Sequence, residues 1–529
     1  MTRRPLILTG AVIVDGTGSQ RYHGDLWIED GYVIRITPVA TSHPSNATII
    51  PVEGQCVTPG FIDVHSHADN AAFLPTPDLS KILQGVTTEV PGNCGESLAP
   101  RSPAFSEVLA RYTERLFPPT AWNGTTFAEY WDEVEQRGLV TNVAPLVGQG
   151  TLRILAMGME QRAPTKAERQ AMRDALKKAL DDGAFGFSTG LIYPPGIFTD
   201  TEDIIELAKE LRGRLYVTHM RNESDQLEAS VLEALAIGQG AGVPVQISHH
   251  KAAGRHNWGK TKHTLALIEA ARQRGQEVRL DVYPYTASST MLTACLPPWM
   301  EEGDERAVLS RLQDPAIRLR LGKDIDNGLP GWENELGSLG PEGILISTTA
   351  THTFEGHTLA DVAQTQGIDA LSALCQLLLD NSLQVSVVLF SMDEGDLKRV
   401  LRFPWTMIGS DGLPPGRGGK PHPRLYGTFP RVLGHYVRET SWLTLETAVY
   451  KMTGLPAETF GLRNRGVIRE GSIADLVVFS YDTIADRGKY AEEPVSPRGI
   501  SRVFQSGQCV VNGTTFLGPR GGKRLRPTS

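Results

Sequence analysis

Residues 61–70 read FIDVHSHADN and follow VTPG at 57–60. Apolar Phe61, Ile62 and Val64 lead into His65, one residue is skipped, and His67 follows, with Asp69 two further on. In an extended strand successive side chains alternate faces, so positions 65, 67 and 69 point the same way. A hydrophobic strand that ends in two imidazoles aimed at one place suggests a ligand for them.

Seven more short, mostly apolar runs follow: GVTTEVPGNC, VAPLVG, AFGFSTG, RLYVTHM, VPVQISHH, VRLDVYPY and WTMIGSD. Between them lie segments such as TKAERQAMRDALKKALDDG, SDQLEASVLEALAIGQGAG and HTLALIEAARQRG, whose apolar residues recur at helical spacing. Eight strands covered by amphipathic helices predict a (β/α)8 TIM barrel of the α/β class over residues 57–464. Both ends have a different texture. PLILTGAVIVDG, DLWIEDGYVIRI and ATIIPVEGQCV at the start match GVIREGSIADLVVFSYD and SRVFQSGQCVVNG at the end. They predict one small β-sandwich made from 1–56 and 465–529. About 120 residues separate VRLDVYPY from WTMIGSD. We assign about 287–345 of that gap to an inserted subdomain, either a mobile cover over the barrel mouth or a static elaboration.

A formal net charge of −8 disfavours a nucleic-acid partner, and the only basic run, GPRGGKRLRPTS, reads as a frayed end. The five cysteines fit no disulfide framework, and no stretch of about 18 apolar residues offers a membrane span. A cytoplasmic protein is expected.

His65 with His67, Cys94, His219, His249 and Asp411 fall at the C-terminal ends of five candidate strands. In a barrel those ends converge on one mouth. Imidazole and thiolate donors suit zinc, and an Asp beside them suits proton transfer, so hydrolysis of an amide or ester is the natural reaction class. His250 adjoins His249 but lies on the opposite face of a strand, so only one of the two can be a ligand.

The segments TPGFIDVHSHAD, GVTTEVPGNCG, STGLIYPPG, YVTHMRNE, QISHHKAAGRHNWGK, DVYPYTASST, TMIGSDGLP and HPRLYGTFPRVLGHYVRE resemble the D-aminoacylase (N-acyl-D-amino-acid deacylase) family of the amidohydrolase superfamily. The resemblance covers nearly the whole chain, and NCG and SHHK are its most specific parts. It implies a tight zinc site at Cys94, His219 and His249, and a second, weaker position at His65 and His67 that shares Cys94. It also implies Asp411 as catalytic base and Lys251, Tyr283 and Arg424 on the substrate carboxylate, with Tyr193 lining the same pocket. The substrate implied is a small N-acyl-D-amino acid. Lys251 shares strand parity with His249, and Arg424 offers a planar fork that suits a carboxylate.

One departure is Gln149, in GQGTLR, where the family usually has histidine; an amide cannot titrate. The segment MLTACLPPW after Ser289 and Thr290 carries no basic residue, which favours an apolar substrate side chain. Two alternatives stand beside this reading. One is opening of a cyclic amide, as in hydantoinases and dihydroorotases, which use a carboxylated lysine that AFGFSTGLIYPPGIFTD lacks. The other is a catalytically silent homologue that binds metal or a partner.

Overall fold

The computed structural model describes residues 4–40, 42–413 and 416–527. Pro414 of the GSDGLP segment and the last two residues of the basic tail lie outside them. The N-terminal part contributes β1 (Leu6–Ile13), β2 (Tyr22–Glu29), β3 (Tyr32–Thr37), β4 (Thr48–Pro51) and β5 (Cys56–Pro59). There follow the expected parallel strands: β6 (Phe61–Asp63), β7 (Val86–Glu89), β8 (Asn142–Val143), β9 (Val147–Gly148), β10 (Gly186–Gly190), β11 (Leu215–His219), β12 (Val245–Ile247) and β13 (Val278–Val282). Next come β14 (Ser288–Met291), β15 (Ile344–Thr349), β16 (Val385–Leu389) and β17 (Thr406–Ile408). The chain ends with β18 (Leu476–Phe479), β19 (Ile500–Gln505), β20 (Gln508–Asn512) and β21 (Thr515–Phe516).

The molecule is an α/β protein. One parallel sheet runs β17-β13-β12-β11-β10-β9 and another β6-β7-β8. β8 and β9 are parts of one extended segment, interrupted where Pro145 offers no N–H. Its neighbours keep their bonds: Ala144 N–H donates to the Glu89 carbonyl and Leu146 N–H to that of Pro91, both at 2.9 Å. At the other seam Asp411 N–H donates to the His65 carbonyl at 2.8 Å, and Ser66 bridges Gly412 in parallel. Helices cover the outside where the sequence predicts them, at Lys166–Asp181, Leu227–Ala241 and Thr261–Gln273. The first begins in a capping box: the Thr165 side chain accepts from Glu168 N–H while the Glu168 carboxylate accepts from Thr165 N–H.

Strands from both termini share one nine-stranded sheet, joined where β5 pairs antiparallel with β18. Leu8, Ile13, Leu26, Val57, Leu476 and Phe504 form a core of its own. Within the insertion, β14, β16 and β15 make a small antiparallel sheet over a third core that draws on residues from Leu292 to Leu389.

The described part of the basic tail is not frayed. Val143 N–H donates to the Lys523 carbonyl, Leu525 N–H to the Val143 carbonyl, and Gly522 bridges Leu139. Arg524 is 5% exposed and pairs with Asp132 at 3.0 Å. The tail thereby satisfies the N–H and carbonyl of Val143 on the edge of β8 that faces away from β7. Composition suggested a loose end because it carries no information about that unfilled edge.

Candidate metal centre and pocket

Several strands hand their polar residue to the site just after regular pairing stops, whereas His219 is the last paired residue of β11. β6 ends at Asp63 and β12 at Ile247, so His65, His67, His249 and Lys251 all lie beyond the strands that aim them. Cys94, His249 and Asp411 have φ values of 54°, 34° and 48°. Residues other than glycine seldom occupy that region, and such strain gathers at functional sites. Close packing of backbones holds the Cys94 loop in place. A Cβ on Gly190 would lie 2.0 Å from the Cys94 carbonyl oxygen, and one on Gly148 would lie 2.3 Å from that of Gly95. Only glycine fits there.

Two donor groups result. His65, His67, Cys94 and Asp411 offer ligand atoms all within 4.8 Å of one another, and so do Cys94, His219 and His249. His65 Nε2 and His249 Nε2 lie 3.3 and 3.7 Å from Cys94 Sγ. The His219 ring meets the His249 ring edge-on at 4.3 Å. Among the described residues neither ring nitrogen of His219 has a hydrogen-bond partner, nor has His67 Nδ1, although all are buried. Burial first, and then the positive groups nearby, hold His219 and His249 well below the ordinary histidine range, in the neutral form that ligates. Burial and the surrounding carboxylates push the Cys94 thiol well up, a penalty that a cation at the centre would reverse. Sulfur and nitrogen donors, partnerless imidazoles and an acidic surround fit a zinc ion.

Asp411 Oδ1 lies 3.2 Å from His67 Nε2, and its other oxygen lies 2.9 Å from Arg424 Nη1. Burial opposes its charge, but Arg424 and His65 outweigh burial and hold the carboxyl well below its ordinary value. Lys251 Nζ meets Glu223 Oε2 at 2.5 Å. Two cations lie over the Tyr283 ring, Lys251 Nζ 5.7 Å and the Arg424 guanidinium 4.6 Å from its centre. Tyr193 packs edge-on against His219 at 5.0 Å and hydrogen-bonds Thr290 at 2.9 Å. Of the expected residues, His67, Cys94, Tyr193, His219, His249, Lys251, Tyr283 and Asp411 line one cavity. His65 and Arg424 stand behind it. Arg424 is bound to Asp411 and to the Ser289 carbonyl.

His250 turns away to Thr264 Oγ1 at 2.8 Å. Gln149 is buried on Thr199 Oγ1 at 2.9 Å and does not line the cavity. Asp69 is also outside the donor groups. Its carboxylate accepts from Gly92 N–H, and burial raises it to about 7.

Sequence reasoning gave no role to Glu223 or Asp281. Glu223 Oε1 lies 2.9 Å from His249 Nδ1. With Nε2 facing Cys94, Nδ1 carries the proton and donates it to Glu223. Asp281 does the same for His65 Nδ1 at 3.2 Å and also accepts from His249 N–H at 2.8 Å. The signal was present as an acid inside the apolar run VRLDV and another four residues after His219.

The amidohydrolase family model matches residues 48–511. A D-aminoacylase of Alcaligenes xylosoxydans xylosoxydans is 38% identical over 526 residues, covering 99% of this chain and 98% of that protein. The N-acyl-D-glutamate deacylase of Bordetella bronchiseptica, crystallised with zinc and a phosphonate mimic of the tetrahedral intermediate, superposes with a TM-score of 0.82 at 38% identity, covering 99% of this chain and 100% of that one. A D-aminoacylase crystal structure gives a TM-score of 0.81 at 36% identity over 99% of this chain and 100% of that one. D-hydantoinase shares the fold, with a TM-score of 0.56 at 15% identity, covering 99% of each chain. A cysteine after β7, histidines after β6, at the end of β11 and after β12, and an aspartate after β17 thus sit in a chain that belongs to the amidohydrolase family, in its D-aminoacylase group.

Proposed function

We propose that this protein hydrolyses the amide bond of N-acyl-D-amino acids, releasing a carboxylate and a free D-amino acid. The observation that carries the reading is the meeting of Cys94, His219 and His249 within ligand distance, with Asp411 beside them on the wall of the same cavity. Cys94, His219 and His249 would hold a zinc ion tightly, and His65 and His67 would form a weaker position that shares Cys94. Bound there, zinc polarises a carbonyl and lowers the pKa of water. Asp411 takes the proton from the attacking water and delivers it to the departing amine. Lys251 and Tyr283 take the substrate carboxylate, and Arg424 steadies Asp411 while its fork faces the same region. Tyr193, fixed by Thr290, closes the side next to His219.

The two parallel sheets and their seams support a closed (β/α)8 barrel over 57–464, with the terminal sheet folding as a sandwich of 1–56 and 465–529. We assign the third core to the insertion, which then extends from about 287 past 345 to the end of β16. All five cysteines are free, which supports a reducing, cytoplasmic setting, and no helix among the described residues is long and apolar enough to cross a membrane. Met291, Ala294, Leu296 and Pro298 on the cavity wall favour an apolar substrate side chain. The cyclic-amide reading lacks support here, because β10 carries no lysine to bridge two metals.

The test is amine release by the zinc-loaded protein from matched N-acetyl-D and N-acetyl-L amino acids. Turnover confined to the D series is expected. Equal turnover of both series, or of neither with zinc bound, overturns the reading.

A further inference from the structure

One end of the cavity beside Cys94 is built from two parts of the chain. The insertion gives Met291, Ala294, Leu296, Pro298 and Glu301, and the main domain gives Glu96. The walls are apolar, but the end is not. Glu301 is matched by a buried guanidinium, with Arg115 Nη1 at 2.5 Å. Glu96 is 5% exposed, and its Oε1 accepts from the Tyr112 hydroxyl at 3.0 Å. Among the described residues its Oε2 accepts from no donor. A carboxylate has about four acceptor positions, and here one is used. Among the described residues the cation at this end is Arg115, whose hydrogen bond goes to Glu301, so the second oxygen of Glu96 is left without a partner on the cavity wall. Such a group favours a ligand that brings a donor.

We propose that Glu96 is a specificity-determining residue, and that it selects N-acyl-D-amino acids whose side chain is apolar along its stem and ends in a cationic hydrogen-bond donor, as lysine, ornithine and arginine do. The inference rests on the deacylase reading and refines its apolar side chain. A lysine or arginine side chain has this division, with methylenes that lie along Met291 and Leu296 and a charged tip that meets Glu96. The Tyr112 hydroxyl holds Glu96 in place, and the Arg115–Glu301 pair lies at the same end without supplying it a donor.

The experiment compares kcat/KM for N-acetyl-D-lysine and N-acetyl-D-methionine, whose side chains are of similar length. It uses the zinc-loaded protein and its Glu96→Leu and Glu96→Gln variants, with zinc content measured in each. The ratio of the two substrates in one preparation is independent of the fraction of active enzyme, so partial misfolding does not move it. Expected are a lysine-to-methionine ratio of about 10 or more for the natural protein and a fall of about 100-fold in Glu96→Leu, because a site built for a donor discriminates by such factors. Glu96→Gln, which keeps the bond to Tyr112, should fall between. A natural ratio at or below 1, or variants in which both substrates drop equally, overturns the proposal while leaving the deacylase reading intact. Failure to hydrolyse any N-acyl-D-amino acid removes both.

Discussion

Lys81 and Lys251 are both buried beside the ends of the parallel strands, 1% and 4% exposed, and each has a carboxylate within 2.6 Å. Burial works to lower both ammonium groups, but Asp63 for Lys81 and Glu223 for Lys251 outweigh it, so both stay above the ordinary lysine value. The difference lies in what else they touch. Lys81 is saturated: Asp63 at 2.6 Å, Ser410 Oγ at 2.7 Å and Ser66 Oγ at 3.4 Å take its donors, with Glu89 at 3.5 Å. Asp63 in turn accepts from the N–H groups of His65 and Ser410. The network ties the segment that carries His65 and His67 to the one that carries Asp411. Lys251 faces the cavity, and among the described residues it donates to Glu223 alone, with the protonated Nδ1 of His249 2.9 Å away. A saturated lysine braces a site, whereas one facing a cavity has room for a ligand.

The largest expected effect breaks the braced side. Lys81→Met leaves Asp63 and Glu89 buried without their cation. Removing one partner of such a pair destabilises by about 3–5 kcal/mol. Urea unfolding should show a loss of that size whether or not zinc is bound. A Lys81→Met protein that keeps its stability but loses turnover would place Lys81 in the chemistry and end the distinction.

Legibility followed the same division. The strand order, the helices between the strands and eight of the cavity-lining residues were readable, because period-2 alternation and strand-end position are local signals, whereas the cavity's glutamates were not. His65 and His67 did meet one centre, although the strand stops at Asp63 and strict parity no longer applies. Lys251 reached the site on an equally short extrapolation. The left-handed turns at Cys94, His249 and Asp411 had no such signal, since nothing in a residue's neighbours announces a φ imposed by distant backbones. The brace was hidden for a related reason: Lys81 and Ser410 are 329 positions apart. The placement of Arg524 against Asp132 was hidden in the same way, and composition made that tail look loose.

A smaller effect tests the cavity-facing lysine. In Lys251→Met, kcat/KM for an N-acetyl-D-amino acid should fall by about 10–150-fold, mainly through KM, the equivalent of one charge-assisted hydrogen bond at about 1.5–3 kcal/mol. Its unfolding free energy should change less than that of Lys81→Met, because Glu223 keeps His249 and borders the cavity. An unchanged KM would remove Lys251 from carboxylate binding and make it a second brace.

Glu223→Gln sharpens the comparison most finely, because it changes the partner of Lys251 and leaves the shape. Two opposing effects are expected. The amide accepts from His249 Nδ1–H less strongly than a carboxylate, and loss of such an outer partner weakens metal binding by about 10–100-fold. Competition with a chelator of known affinity measures this. Without metal, the balance runs the other way. Glu333 and Glu335 both face the same cavity, and burial, then repulsion from Glu223, raises both carboxyls, Glu335 to about 7. Neutralising Glu223 relieves that repulsion and leaves Lys251 facing the cavity with the Glu333 and Glu335 carboxyls as its neighbours, so the metal-free variant should unfold no more easily than the natural metal-free protein. A fall in metal-free stability close to that of Lys81→Met would show that Glu223 and Lys251 also brace the fold, and the two lysines would then differ only in position.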